Sequence, residues 1–223
     1  MKTYTNKFHN KHTYLNIENS EISTINDFDH LLDKYKKPLQ IGVDSDNDNL
    51  IDLLEKNDFI LKRKCYEVEA TKDNLKYTLE NADIFQCQYG SLEYKKCCQI
   101  LYDYYALVHY DISPLTASFD VFVSTLPKDA LYIKRDGEIT ICAFVEENEI
   151  AYLATSKSDS KSQRAFLSAL LTFLFDKYDK IFFEADDTDY LATELKDIFD
   201  IDIKSSYDTY IKYYKKHETN KFS

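Results

Sequence analysis

The fold is decided by the stretch EIAYLATSKSDSKSQRAFLSALLTFLFDKYDKIFFEA, residues 149–185. It predicts a strand at Glu149–Thr155, a helix at Gln163–Tyr178 and a buried strand at Lys180–Ala185. Phenylalanine and leucine side chains at three- and four-residue spacing make one face of that helix almost wholly apolar. A strand, a helix and a strand in direct succession predict two neighbouring parallel strands joined by a crossover helix.

The elements around this stretch complete an unusual order. Asp136-Gly137 is a two-residue turn that favours a tight hairpin. The further predicted elements are a helix at Leu92–Val108, strands at Ala130–Arg135 and Glu138–Glu146, a helix at Tyr190–Phe199 and a pair of strands within Ile201–Tyr214. A meander followed by helix, strand, helix and hairpin is an order that few folds share.

Residues 1–80 predict a smaller α/β unit. An amphipathic helix is expected at Ser20–Tyr35 and a buried strand at Leu39–Val43. A second helix at Leu50–Asn57 is followed by one or two strands within Phe59–Ala70. The polar stretch that comes next predicts a linker or a surface helix between this unit and the rest of the chain.

Composition excludes several classes of protein. The formal charge of −11 disfavours nucleic-acid binding and fits a cationic partner better. Only three glycines occur, and neither a dinucleotide fingerprint nor a P-loop is present. The five cysteines form no CxxC pair, so we expect reduced thiols and no metal site. With no apolar signal core and no long apolar run, a cytoplasmic protein without a membrane partner is expected.

The element order from Phe85 to Tyr214 resembles the GNAT family of acyl-CoA N-acetyltransferases. The resemblance implies an α/β fold with a mixed central sheet, in which the strand Ile150–Thr155 splays from its parallel neighbour. It also implies that acetyl-CoA, or another acyl-CoA, lies in the gap. We therefore expect a GNAT-like acetyltransferase domain at residues 84–216.

The N-terminal unit resembles part of the same fold. In Pro38–Glu69 a strand, a turn and a helix are followed by Asp58-Phe59, where the family has a Gly-Phe pair. The resemblance implies a truncated GNAT-like half at residues 1–80, related to the later domain by partial duplication. Because no splayed strand is predicted before Leu39–Val43, this unit is expected to hold no cofactor of its own and to be structural or act in dimerisation.

The resemblance also assigns the cofactor site. Main-chain groups of the splayed strand would bind the acyl carbonyl and pantetheine, and the next helix start would hold the pyrophosphate with free N–H groups and its dipole. The family's two glycine positions fall on Ala165 and Leu167, so Lys157, Lys161 and Arg164 would supply charge instead. The predicted cofactor-binding residues are Leu153, Ala154, Thr155, Lys161, Ser162, Gln163, Arg164 and Ala165.

Catalysis by direct transfer needs a base for the ammonium proton and an acid for the leaving thiolate. Glu184, at the end of a buried strand, is the first candidate base and Glu149 the second. The resemblance places the family's tyrosine acid on Lys196; Tyr190 is the candidate acid only if the register shifts, and a packing role is favoured for it. Asp186-Asp187 is expected to form a turn and cap the following helix, and His109 is a candidate for the acceptor side.

Two functions stay open at this point. One is an N-acetyltransferase that moves an acetyl group from acetyl-CoA to a small-molecule amine or a peptide amine. The other is a GNAT-fold binding or regulatory module without catalysis, which the missing glycines favour. A peptide-bond former that uses charged tRNA is a third reading, opposed by the acidic charge. A homodimer is compatible with either main function.

Overall fold

The computed structural model describes residues 1–25, 27–80, 83–157 and 159–214. Strands and helices follow one another in this part of the chain as β1 Lys2–Tyr4, β2 Thr13–Asn16, α1 Phe28–Tyr35, β3 Leu39–Asp44, α2 Asp48–Lys56, β4 Ile60–Thr71, β5 Phe85–Gln88, α3 Leu92–Val108, α4 Phe119–Val123, β6 Asp129–Arg135, β7 Glu138–Glu146, β8 Glu149–Thr155, α5 Ser160–Phe175, β9 Lys180–Asp186, α6 Tyr190–Lys196 and β10 Tyr207–Lys212. Short 3-10 turns lie at Asn19–Thr24 and Lys72–Asn74. None of the described helices is long and apolar enough to cross a membrane.

All ten strands of the described chain belong to one mixed sheet. Their order is β1-β2-β3-β10-β4-β9-β8-β7-β6-β5. The pairs β2–β3 and β8–β9 are parallel, and the other neighbours are antiparallel. The expected α/β fold with a mixed central sheet is confirmed.

Strands β4 and β10 each lie in the sheet beside a strand of the other part of the chain. In sequence, β4 follows β3 and α2, whereas β10 follows β9 and α6; in the sheet, β4 lies beside β9 and β10 beside β3. The cores reflect this, because Val68 and Ala70 of β4 pack in the core of the later part. Tyr210 of β10 packs in the core of the N-terminal part. The pairing of β4 with β10 joins the two parts.

A second parallel pair lies in the N-terminal part, where none was expected. Strand β2 pairs with β3 only at Thr13↔Leu39 and Tyr14↔Gln40. A short parallel strand therefore precedes β3, which the sequence analysis did not predict. At four residues, β2 is too short for its alternation to be recognised in the sequence.

Two further expectations differ from the structure. The helix expected at Ser20–Tyr35 is a 3-10 turn followed by α1, because Asp27 caps α1 by accepting a hydrogen bond from the His30 N–H at 2.8 Å. The expected terminal pair of strands is the single strand β10, since Ile201–Ser206 has no strand pairing. Elements α3, β7 and β8 have the bounds that the sequence predicts.

Candidate active site

Strands β8 and β9 diverge after two residue pairs. They are paired only at Glu149↔Phe182 and Ile150↔Phe183. On its other side, β8 stays paired with β7 as far as Thr155. The edge of β8 that faces β9 therefore has no ladder partner from Ala151 onward among the described residues. This is the splay that the resemblance implies, and it leaves main-chain groups free for a ligand.

A cavity of about 500 Å³ opens at the splay and extends between the two parts of the chain. The later part contributes residues of α3, β8, β9 and α6, including Leu101, Tyr104, Tyr152, Leu153 and Glu184. The N-terminal part contributes His9, Tyr14, Gln40, Arg63, Cys65 and Glu67. The N-terminal part is thus a wall of the same cavity, a position that goes beyond the structural or dimerisation role expected for it.

Three of the cavity's carboxylates, Glu67, Glu184 and Asp186, lie on β4 and β9, and a fourth, Asp189, immediately precedes α6. Glu67 is the cross-strand partner of Glu184, and Cys65 is the partner of Asp186. Because side chains alternate along a strand, these residues share the cavity face while Val68 and Ala70 enter the core. The Cys65 thiol lies 3.8 Å from the Glu184 carboxylate.

Burial within the cavity raises the pKa of Glu184, and the nearby carboxylates Asp186, Glu67 and Glu149 raise it further. A carboxyl whose pKa is raised towards neutrality is a better proton acceptor for an ammonium group than an ordinary one. The predicted base therefore lies in a suitable environment. Glu149, the second candidate, stands at the start of β8 and acts on Glu184 through its charge.

Arg63 contacts two other residues of the cavity lining, Asp186 and His109. Its Nη1 donates to Asp186 Oδ2 at 2.8 Å and lies 3.2 Å from His109 Nε2. Nδ1 of His109 lies 3.0 Å from the Tyr105 carbonyl oxygen, so a neutral ring with its proton on Nδ1 satisfies both contacts. Burial, and then Arg63 and His9, lower the pKa of His109 to about 3. His109 lines the cavity, and its role on the acceptor side stays a prediction.

Tyrosines surround the cavity, but Tyr190 lies outside its lining. Tyr190 begins α6, is 44% exposed and packs edge-on against Tyr104 at 5.5 Å between ring centroids. The Tyr104 hydroxyl donates to Asp189 Oδ1 at 2.5 Å. Tyr152 lines the cavity from β8, and burial raises its pKa, with Glu184 next among the causes.

The predicted pantetheine residues lie on the splayed strand. Leu153 faces the cavity, whereas Ala154 is fully buried. The Thr155 hydroxyl lies 2.8 Å from the Lys157 carbonyl and so fixes the turn after β8.

A carboxylate of the chain occupies the start of α5, where the pyrophosphate was expected. Asp159 accepts a hydrogen bond from the Ser162 hydroxyl at 2.5 Å and pairs with Arg135. The Ser162 hydrogen bond is the main cause of the lowered pKa of Asp159. A negative charge already stands at the positive end of the helix dipole, where it would repel a phosphate.

The other predicted phosphate residues are dispersed. Lys161 is exposed, and Arg164, also exposed, pairs with Glu194 of α6 at 3.3 Å. Gln163 is buried and its side-chain amide lies 3.5 Å from the Lys157 carbonyl oxygen. Ala165 is half-buried on the second turn of α5. Of the basic side chains expected beside the phosphates, Arg164 thus already forms an ion pair with Glu194.

Asp186 and Asp187 do not cap α6. Its cap is Asp189, whose carboxylate accepts from the Leu191 N–H at 2.9 Å and the Ala192 N–H at 3.2 Å. Asp186 instead binds Arg63, and Asp187 accepts from the Lys64 N–H at 2.9 Å. The expectation failed because β4 reaches β9 from the N-terminal part and takes up both carboxylates.

The main residues that the sequence analysis missed are Arg63, Glu67, His9 and Tyr14. On β4 a signal was present, since Arg63, Cys65 and Glu67 alternate with residues of the opposite face in a long strand. His9 gave no signal, because it lies in a loop held by hydrogen bonds from the Thr116 N–H and hydroxyl to the Phe8 carbonyl, at 2.7 and 3.0 Å.

Solved structures of acyltransferases share this architecture. The GCN5-related N-acetyltransferase of Sphaerobacter thermophilus superposes with a TM-score of 0.61 at 10% identity, over 96% of this chain and 76% of that chain. A probable N-acyltransferase of unknown function from Enterococcus faecalis V583 gives 0.54 at 8% identity, and this chain spans 57% of its length. A provisionally assigned acetyltransferase of Pyrococcus horikoshii gives 0.51 at 15% identity, over 93% of this chain and 68% of that one. No family model and no curated protein matches the chain.

The fold is therefore that of the GNAT acyltransferases. At such low identities the likeness extends to the architecture alone, and the activity must be argued from the site.

Proposed function

We propose that the protein is an acyl-CoA-dependent N-acyltransferase that transfers an acetyl group to an amine. The observation that supports this most is the opening of the β8–β9 splay onto a cavity that holds Glu184. Free main-chain groups for a thioester arm and a carboxyl with a raised pKa stand on adjacent strands. These are the two things that direct acyl transfer to an amine requires.

The residues present fit the acyl end of the cofactor better than its phosphate end. Main-chain groups after Ile150 would hold the acyl-pantetheine arm, which supplies the activated acyl group when bound. Lys161 would attract the phosphates. Asp159 occupies the helix start and must turn away, or be outweighed by Arg135 and Lys161, for the pyrophosphate to approach.

In the proposed reaction, Glu184 accepts a proton from the ammonium group of the acceptor. The free amine attacks the thioester carbonyl, the new C–N bond forms and the C–S bond breaks. The departing sulfur takes a proton from a tyrosine, and the tyrosine regains a proton from the attacking nitrogen, which loses its second proton as the amide forms. Tyr152 lines the cavity near Glu184, whereas Tyr190 lies outside, so we assign this role to Tyr152 ahead of Tyr190.

A binding module without catalysis is the second candidate, and Asp159 is the observation that favours it. Calorimetry with acetyl-CoA and an assay for free thiol release with a mixture of amines separate the two functions. Binding with amine-dependent thiol release supports the acyltransferase. Binding without thiol release supports a module that holds CoA, and absence of binding at millimolar acetyl-CoA contradicts the acyltransferase and supports a module that holds none.

A further inference from the structure

Tyr207 lines the central cavity from the start of β10, and its ring leans onto Gly42 of β3. A Cβ atom added at Gly42 would stand 2.3 Å from Cε1 of Tyr207 and 2.5 Å from its hydroxyl oxygen. Glycine makes room for the ring because it has no Cβ. Strands β3 and β4 lie on opposite sides of β10, so the ring leans away from Cys65, the partner of Tyr207 on β4. The cavity above Cys65 therefore stays open.

The register of the sheet links Tyr207 to Glu184 through Cys65. Tyr207 and Cys65 are cross-strand partners, and the Cys65 thiol lies 3.8 Å from the Glu184 carboxylate. All three side chains line the cavity. Because β4 separates β10 from β9, and Glu184 is two residues from the partner of Cys65 on β9, the Cα atoms of Tyr207 and Glu184 are roughly 12 Å apart. An acceptor with its amine at Glu184 reaches Tyr207 only if it is long.

The Tyr207 end of the cavity carries a carboxylate. Asp44 of β3 is directly opposite Tyr207, so the two side chains stand next to each other on the same face of the sheet. Burial raises the pKa of Tyr207, and the nearby Tyr4 and Asp44 raise it further. Asp44 is exposed, and its carboxylate has no ion-pair partner among the described residues. This end of the cavity therefore has a negative charge that the fold does not use.

The Tyr207 ring is also open to a cation. It is 51% exposed, and no lysine or arginine lies over it in the part of the chain that the structure describes. By contrast, Lys196 lies over the ring of Tyr66, and Lys62 over that of Tyr213. An aromatic ring attracts a cation placed over its face, and a neighbouring carboxylate adds to this attraction. The pair of Tyr207 and a free carboxylate thus suits an ammonium group.

We propose that Tyr207 and Asp44 bind a second cationic group of the acceptor while its reacting amine lies at Glu184. The acceptor is thus a long diamine, for which 1,8-diaminooctane is a probe. Tyr207 is the specificity-determining residue, and Gly42 keeps its ring clear of the path over Cys65. This inference rests on the proposed function for the amine at Glu184. The second site stands on the register, the exposed ring and the free carboxylate.

The test measures binding by calorimetry to the intact protein without a cofactor. The probes are 1,8-diaminooctane, octylamine, which lacks the second charge, and 1,4-diaminobutane, which is too short to reach Tyr207. We expect 1,8-diaminooctane to bind at least about fivefold more tightly than each of the others, which is the order of effect that a ring and an exposed carboxylate have on a cation. Equal binding of octylamine or of 1,4-diaminobutane, or no binding of 1,8-diaminooctane, overturns the proposal.

Two variants assign the preference to the named side chains. Tyr207→Leu keeps an apolar side chain but removes the ring, and Asp44→Asn removes only the charge. Each should lower the affinity for 1,8-diaminooctane by about two- to fivefold and leave that for octylamine unchanged. Tyr77→Leu is the matched control, because Tyr77 is 52% exposed and lies outside the cavity lining. Normal preference for the diamine in both Tyr207→Leu and Asp44→Asn would contradict the second site.

A double-mutant cycle tests the role of Gly42. Gly42→Ala should displace the Tyr207 ring and weaken 1,8-diaminooctane binding, whereas in a Tyr207→Ala background it should have little further effect. If Tyr207 and Gly42 were merely structural, their variants would melt lower and bind 1,8-diaminooctane as before, which would overturn the proposal. Absence of acetyl transfer to any amine would count against the acyltransferase alone, since diamine binding is measured without acetyl-CoA.

Discussion

Glu67 of β4 and Glu184 of β9 are directly opposite each other on antiparallel strands, with both side chains in the lining of the central cavity. Like charges placed opposite each other in a sheet destabilise it by about 0.2–1 kcal/mol. Asp186 adds a third carboxylate two residues along β9, and Arg63 neutralises only that one. The remaining excess of negative charge suits an ammonium group, which fits the proposed amine acceptor.

Replacing Glu184 by glutamine should stabilise the protein and impair transfer. The raised pKa means that the fold favours protonated Glu184, so stability is highest below the ordinary value of 4.5 and falls as pH rises through the folded pKa. At pH 8, Glu184→Gln should melt about 1–3 °C higher. Acetyl transfer should fall by about 10²-fold or more. Glu69→Gln, which removes a surface ion pair with Lys180, is the control and should transfer normally. Unchanged transfer in Glu184→Gln would exclude Glu184 as the base.

The two candidate acids can be compared directly. Tyr152→Phe should lower the rate of acetyl transfer by at least about tenfold, because this hydroxyl is the one placed in the cavity. Tyr190→Phe should have little effect, since Tyr190 is half exposed and packs on Tyr104. Steady-state rates at saturating acetyl-CoA give the comparison. The reverse order would restore Tyr190 to the role that the sequence predicts for it.

Asp159 should limit the affinity for acyl-CoA. Asp159→Asn removes a negative charge from the start of α5 and frees Arg135 for the phosphates. Because a negative charge at a helix start repels an incoming phosphate, we expect acetyl-CoA to bind about two- to fivefold more tightly. Calorimetry at low and high salt measures the affinity for acetyl-CoA. The increase in affinity should be smaller at high salt, because salt screens the charge. Weaker binding in this variant would mean that Asp159 helps to shape the site.

Lys161 and Arg164 should not be equivalent. Arg164 forms an ion pair with Glu194, whereas the Lys161 side chain has no ion-pair partner among the described residues. Lys161→Ala should therefore weaken acetyl-CoA binding about fivefold at low salt, as expected for an exposed attraction of about 1 kcal/mol. Arg164→Ala should have a smaller effect. Thermal melting checks that both variants fold, and normal affinity in both would remove α5 from the proposed phosphate site.

Buried histidines should make the fold sensitive to acid. Burial is the main cause that lowers the pKa values of His9, His12 and His109 from the ordinary 6.5, in the last case to about 3. The unfolded chain then binds more protons, so stability is full above about pH 6.5 and falls as pH decreases towards 3. The denaturant midpoint of the unaltered protein should fall between pH 7.5 and pH 4.5. The midpoint of His109→Gln should fall less over the same range. If the denaturant midpoint fell equally with pH in both proteins, the assignment of this acid sensitivity to His109 would be contradicted.

The elements that the sequence predicts correctly are those determined by short, local sequence patterns. The hairpin between β6 and β7 turns at Asp136 and Gly137, whose φ angles of 54° and 81° belong to the turn that their sequence favours. The apolar faces of α3 and α5 give a helical period that no distant contact has to supply. Glu184 lines the cavity, and its place near the end of a buried strand is the local signal that made it a candidate.

The features that the sequence could not predict depend on pairing between strands that are far apart in the chain. Arg63 meets Asp186 across more than a hundred residues of sequence, and only the insertion of β4 beside β9 brings them together. Nothing near either residue indicates the other. The place of β10 between β3 and β4 is non-local in the same way, so the cavity wall that holds Arg63 has no local signature.

The position of β10 also bears on how the chain folds during synthesis. Strands β3 and β4 are made early, yet the strand that separates and pairs with both comes more than 130 residues after β4. Until then, each presents an unpaired edge, which is a template for association with other chains. Contacts between residues so far apart in sequence also slow folding. We therefore expect the nascent chain to need protection by chaperones until Tyr207–Lys212 has left the ribosome.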